Sequence, residues 1–296
     1  MIGVSTIFYG YAGEPILTKI HKIVEIFEEA GSPPFVQIGA AEPKAEYKEV
    51  VRGALNLKNS YRIKYSIHQS IWLPSRDFYI NLASSIEETR KNSVEALKRS
   101  IDFARDIGAK VLSFHAGYAT DVVTQEEEFS PVTPSDLIPL KIAYANSLRS
   151  IEELLDYAAK DVQLSIENFN YRPERGYLFA LPRDFAVLPK KIGVILNSGH
   201  VYYCQTKLND VNYQRKLIDN IAGRVFEMHV NDNDGSEDQH MLVGYGRVPL
   251  KSILKDVLRY QKMPDLIIES HKKRHSYSDE DLKNNISTVA ELANAK

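Results

Sequence analysis

Cysteine is nearly missing from this chain: Cys204 is the only one in 296 residues. No intrachain disulfide can form, and nothing suggests a cysteine-based zinc knuckle, which agrees with a reducing compartment. Net charge is also scarce, since 37 Lys and Arg against 39 Asp and Glu leave a formal −2. Global electrostatics therefore offer no general attraction to nucleic acid, although a local basic face remains open. No stretch reaches the roughly 18 apolar residues that a membrane span needs. The opening Met1-Ile2-Gly3-Val4-Ser5 lacks the basic region and apolar run of a signal peptide. These absences lead to the expectation of a soluble, cytoplasmic, monomeric protein with no membrane partner. With 44% of residues hydrophobic and 26% charged, the chain can bury a substantial core, and one domain over 1–296 is expected.

Short β-like runs alternate with helical spacing along the sequence. Ile2 to Ile7, Phe35 to Ile38, Ile63 to His68, Val111 to Phe114, Val162 to Ile166, Ile192 to Leu196, Val225 to Val230 and Leu266 to Ile268 are strand candidates. Between them, Pro15 to Ala30, Tyr47 to Leu55, Ile86 to Ile107, Leu137 to Ala159, Val211 to Ile221, Pro249 to Tyr260 and Asp279 to Ala293 have helical spacing, with a short helix at Pro182 to Leu188. Eight strands with mostly helical crossovers predict a single (β/α)8 TIM barrel, with a doubly wound sheet as the alternative. The segment Tyr118 to Pro139, with Glu126-Glu127-Glu128 and three prolines, is expected to be an excursion on the active-site side.

What the chain does have is histidine at the ends of strands. His68, His115, His200, His229 and His240 follow β-like runs or lie in the loops after them, and Glu167 and Glu269 occupy equivalent places. Barrel enzymes collect active-site groups from the C-terminal ends of different strands, so wide sequence separation is expected. Any one of these histidines can instead serve a structural hydrogen bond. A carboxylate at an interior strand end is costly unless paired or bound to a cation, which gives Glu167 more weight. Asp238 and His240, two residues apart, can grip one ion, and the same acidic turn can also simply face solvent. A mixed His, Asp and Glu set suits zinc, manganese or iron.

The order and local sequences resemble the endonuclease IV family of apurinic/apyrimidinic DNA-repair enzymes, within the xylose-isomerase-like barrel superfamily. The likeness rests on Ser-Ile-His at His68, Phe-His-Ala-Gly at His115, Glu167-Asn168, His200, His229-Val230-Asn231-Asp232, Asp238-x-His240 with Gly244-x-Gly246, and Glu269. It implies up to three zinc ions: one on His68, His115 and bridging Glu167; a second on Glu167, Asn197, His229 and Glu269; a third on His200, Asp238 and His240. Asn197 departs from the family, which has aspartate there, and a neutral amide offers less to a second ion. Phe-His-Ala-Gly also replaces the family's histidine-proline-glycine turn. The resemblance further implies abasic duplex DNA as partner, with Trp72 in Ile71-Trp72-Leu73 as a wedge and Arg76, Arg172 and Arg175 on phosphates. Trp72 reads equally as a loop anchor.

Two catalytic readings follow. In the first, a metal-dependent phosphodiesterase cleaves DNA 5′ to an abasic site, with Glu167 orienting the metals. In the second, a sugar or sugar-phosphate isomerase or epimerase uses Glu167 and Glu269 as its proton-transfer pair and one metal at Glu167, Asn197, His229 and Glu269. A non-enzymatic metal or nucleic-acid binder is the remaining class.

Overall fold

The computed structural model describes residues 1–10, 14–39, 45–75, 78–122 and 133–294. Eight parallel strands close into a barrel in sequence order: β1 Ile2–Ser5, β2 Phe35–Ile38, β3 Lys64–His68, β4 Val111–Phe114, β5 Gln163–Glu167, β6 Gly193–Asn197, β7 Val225–Val230 and β8 Asp265–Ile268. Closure comes from β1 pairing with β8, in register Ile2↔Leu266, Gly3↔Ile267 and Val4↔Ile268. The connecting helices are α1 Ile16–Glu29, α2 Tyr47–Tyr61, α3 Glu87–Ile107, α4 Leu140–Ala158, α5 Ser198–Lys207, α6 Tyr213–Asn220, α7 Leu250–Val257, a single turn α8 Lys272–His275, and α9 Asp279–Asn294. The predicted (β/α)8 barrel is what forms. Among the described residues, no helix is long and apolar enough to cross a membrane.

Local chemistry explains the boundaries. In α1 the stripe Ile16, Ile20, Ile23, Val24 and Phe27 is buried against the barrel, as the 3.6-residue period requires. α3 begins with Glu87 and Glu88 at its positive end and stops at Gly108, whose φ of +68° lets its N–H turn back to Ala104 and Arg105. The first strand ends sooner than expected, because a 3-10 turn takes over at Thr6–Tyr9 with the Ser5 hydroxyl accepting from Ile7 N–H. Helix α4 starts at Leu140 rather than Leu137; Leu137 pairs with Thr120 instead, and Pro139 disfavours helix at the residue before it. The short helix expected in the crossover between β5 and β6 forms as a 3-10 helix at Pro182–Val187.

Side chains alternate along each strand, so every second residue enters the barrel. Contacts between non-adjacent strands identify the inward set: Glu167 of β5 reaches His68 of β3 and His229 of β7, and Gln37 of β2 reaches Glu227 and His229 of β7. Large apolar residues fill the space between barrel and helices, while the interior near the C-terminal ends is polar.

Candidate metal centre

His68, Glu167 and Asn197 are the last residues of β3, β5 and β6; His229 is the penultimate residue of β7; His115 and Glu269 immediately follow β4 and β8. Six strands thus deliver six side chains to one end of the barrel. His200 lies in the first turn of α5, and Asp238 and His240 come from the loop after β7.

Glu167 is the hub and is 1% exposed, so its charge needs compensation. Its Oε2 stands 3.6 Å from His68 Nε2, 3.6 Å from His115 Nε2 and 3.2 Å from His229 Nδ1, and it forms no hydrogen bond. Its Oε1 accepts from Asn197 Nδ2 at 2.8 Å and lies 3.6 Å from His200 Nδ1. Burial pushes this carboxyl up, but His229, His115 and His68 outweigh it and hold Glu167 well below the usual carboxylate range. Glu269 behaves alike, with His229 overcoming burial and the repulsion of Glu167. On the other flank, His200 Nε2 lies 3.1 Å from Asp238 Oδ2 and His240 Nε2 3.3 Å from Asp238 Oδ1, an oxygen without a hydrogen-bond partner. Burial acts against these charges too, yet Asp238 raises His240 to about 10 and the two imidazoles hold Asp238 well below its usual range. Burial, with His229 and His115 adding to it, takes His68 the other way, to about 3.

Ligands about 2.0–2.1 Å from a tetrahedral ion stand about 3.4 Å from one another. Separations of 3.1 to 3.6 Å among these donors match that spacing. Two groups of His and carboxylate converge in this way: His68, Glu167 and His229, and His200, Asp238 and His240. The orphaned Glu167 Oε2 and Asp238 Oδ1 fit a cation as the missing partner, since an unpaired buried carboxylate oxygen is costly. The remaining ring nitrogens are held from outside: His68 Nδ1 by Ser113 Oγ at 2.9 Å, His115 Nδ1 by Gln69 Nε2 at 2.9 Å, His200 Nδ1 by the Asn168 carbonyl at 2.7 Å and His240 Nδ1 by the Glu269 carbonyl at 3.0 Å. Such anchoring fixes ring orientation and tautomer.

Asn197 is placed with these groups but faces them differently from expectation. Its oxygen accepts from His200 N–H at 3.2 Å, capping α5, and from Asn231 Nδ2 at 3.1 Å, while its nitrogen donates to Glu167 and to Glu269 at 3.2 Å. The reverse orientation would set an oxygen lone pair against two carboxylates. Trp72 is packed in the way a loop anchor would be. Its ring is 6% exposed, packs against Tyr47 and Phe103, and donates through Nε1 to the Ala45 carbonyl at 2.9 Å. Arg172 lies over the Tyr203 ring, 5.3 Å from its centroid, and Arg175 closes the 3-10 turn Pro173–Arg175; both are on the loop after β5, outside the two donor groups. Arg76 and Glu126 to Glu128 fall outside the described residues.

Three further side chains that the sequence does not single out stand beside the donors. Gln37 contacts His229 from within the barrel, Asn170 donates to Asp238 Oδ2 at 2.9 Å, and Phe169 packs 4.2 Å from the His115 ring, centroid to centroid. The signal for Gln37 was a lone polar residue in an apolar strand. Asn168 and Asn170 were visible as a polar run directly after Glu167.

A family profile described as xylose isomerase-like TIM barrel matches residues 22–292. An uncharacterised protein of Methanocaldococcus jannaschii is 25% identical over 69% of this chain and 70% of its own length. A protein of Aquifex aeolicus named Probable endonuclease 4 is 28% identical over 60% of this chain and 64% of its own length, under two thirds of that relative. A fructoselysine 3-epimerase of Shigella flexneri is 20% identical over 75% of both chains. Among solved structures, a D-tagatose 3-epimerase-like protein superposes with a TM-score of 0.72 at 21% identity, covering 98% of each chain, a likeness of fold.

Proposed function

Since this chain belongs to the xylose isomerase-like TIM-barrel family, we propose that it is a metal-dependent isomerase or epimerase of a sugar or sugar phosphate, with Glu167 and Glu269 as its proton-transfer pair. The observation that carries this reading is the placement of two buried carboxylates at one barrel mouth, bridged by the Asn197 amide and surrounded by histidines. The 3-epimerase relative and the whole-chain likeness to a 3-epimerase-like structure support it.

A divalent ion, zinc or manganese, would be held by Glu167 with His68, His115 and His229 around it or by His200, Asp238 and His240, and would polarise the substrate's carbonyl and hydroxyl oxygens. The chain's own residues do the rest. One glutamate takes the proton from the carbon beside the carbonyl, and the other passes a different proton, drawn from solvent, to the opposite face. Asn197 keeps the two carboxyls at fixed separation, and Phe169 with Tyr118 excludes water beside His115.

Incubation of the metal-loaded protein with ketoses, aldoses and their phosphates in D2O tests this directly. Deuterium at the carbon beside the carbonyl, together with a defined epimer or isomer, is expected. No exchange across the panel with zinc, manganese, cobalt or magnesium would overturn it. The second reading, cleavage of abasic duplex DNA, is favoured by the His200–Asp238–His240 group and the endonuclease relative. The phosphate contacts expected of Arg76, Arg172 and Arg175 belong to it, and strand scission 5′ to an abasic site is its assay.

A further inference from the structure

Strand β2 sends no donor to the mouth of the barrel, yet it carries Gln37, a fully buried amide between the apolar residues Val36 and Ile38. Barrels of this architecture fill their interior with bulky branched side chains, and a buried amide costs free energy unless it is bonded. Gln37 Nε2 donates to Glu227 Oε2 at 3.2 Å and lies 2.9 Å from His229 Nε2. Glu227 is a second expense, a carboxylate 1% exposed and two residues before His229 on the same face of β7. The Oε1 atoms of Gln37 and Glu227 both lack a partner, so the pair is a poor structural bond. What it does have is His229.

The ring of His229 has two orientations of the same outline, because a half-turn about χ2 exchanges each nitrogen with a carbon. Packing does not choose between them; the His68 ring, edge-on with centroids 5.0 Å apart, accommodates either. A polar contact does choose. With Nε2 on Gln37, the ring presents Nδ1 to Glu167 Oε2 and Glu269 Oε2, each 3.2 Å away. Turned over, it would present the carbon Cδ2, which offers an ion nothing. His68, His115, His200 and His240 are held by groups of neighbouring strands and loops, whereas the hold on His229 crosses the barrel interior from β2 to β7.

We propose that Gln37, braced by Glu227, is the positioning residue of His229, selecting the ring orientation that offers Nδ1 to an ion at Glu167. Groups behind a ligating histidine fix its orientation in this way, and losing one weakens metal binding by roughly 10- to 100-fold. The inference rests on the metal-binding part of the proposed function and is independent of whether the substrate is a sugar.

The test is Zn2+ titration of metal-stripped protein against a competing chelator, without substrate, beside a thermal melt of the stripped protein. His229→Ala identifies the binding step that depends on His229. Gln37→Met, which keeps the length and removes the polar end, should raise the Kd of that step by roughly 10- to 100-fold, leave the other step unchanged and add nothing in the His229→Ala background. An unchanged Kd in folded Gln37→Met overturns the proposal, as does an equal loss with and without His229, the mark of a merely structural role. If Gln37→Met fails to fold because Glu227 has lost its donor, Gln37→Met with Glu227→Met replaces both partners by apolar groups of like shape, and the same loss is expected. Crystals of zinc-loaded wild type, mapped at the zinc absorption edge, need no variant: an ion about 2.0–2.1 Å from His229 Nδ1 is expected, and an ion on Nε2 of a turned ring overturns the assignment. If no step depends on His229 and no ion lies beside it, the metal reading of this donor group fails, and the positioning role with it; a step that depends on His229 and ignores Gln37 defeats the positioning role alone.

Discussion

Replacing Glu167 by glutamine removes the charge that His229, His115 and His68 keep ionised, and leaves three imidazoles facing a neutral amide. The proposed reaction should slow by roughly 100- to 10,000-fold, the usual contribution of a general acid or base. Steady-state kinetics read beside a thermal melt check this, and a variant that keeps wild-type kcat removes Glu167 from the chemistry. Cys204 offers the opposite case, a potentially reactive group with no role at the site. Burial pushes its thiol up to about 12, so only about one molecule in ten thousand carries the thiolate at pH 8. A thiol reagent should leave native protein unlabelled and modify one group per chain after denaturation; rapid labelling of the native protein would show that the side chain is open to solvent. Most strand-end donors at the candidate site were legible as residues because the strands are short apolar runs and each ends in a residue that such a run does not need. The direction of an amide is not legible, since Asn197 reads as a weak ligand until its neighbours, α5 and Asn231, fix which end faces the carboxylates.

Two donors of the second group, Asp238 and His240, sit on a loop with its own internal order. In the loop after β7, Asp232 accepts from the N–H groups of Asn233, Gly244 and Val248 at 2.8 to 3.0 Å. Its carboxylate replaces the ladder bonds that the loop lacks and so aims Asp238 and His240. Asp232→Ala leaves three donors unsatisfied. With hydrogen bonds to a charged group contributing about 1.5–3 kcal/mol each before relaxation, a net loss of roughly 2–4 kcal/mol is expected. That corresponds to a fall in Tm of about 3–6 °C at this chain length, and an unchanged melt would assign the loop's order to other contacts. Sequence periodicity found the amphipathic helices but missed α5, whose buried residues Ser198, Gly199, His200, Val201, Tyr203 and Cys204 form no apolar stripe. The Gly199 position shows why: a Cβ there would stand 1.9 Å from Asn231 Oδ1, so close approach to the loop after β7 governs that turn more than helical propensity does.

For the molecule as a whole, the site is a set of opposed charges that protons balance when metal is absent. His240, raised to about 10 chiefly by Asp238 against the cost of burial, binds its proton more tightly folded than unfolded. Its contribution to stability is therefore full below about pH 6.5 and is lost as pH rises through 10. Metal competes with that same proton, so Zn2+ affinity should increase between pH 6 and pH 9. The gap in Tm between metal-loaded and stripped protein should widen over this range; a gap that narrows would contradict ligation by His240. At a hundredfold excess of free metal over Kd the ion adds about 2.7 kcal/mol.

The pairing of β1 with β8 carries a consequence in time. Met1 meets Asp265 across 264 positions of chain, and the donors of the metal centre are scattered over β3 to β8 and the loops beyond them. The barrel cannot close until both ends of the chain have found each other, and contacts of such sequence separation form slowly. An ion that requires His68, His115 and Glu167 in their final positions has nothing to bind on the way there. It should therefore leave the refolding rate nearly unchanged and slow unfolding instead, acting as a latch set after the ring has shut.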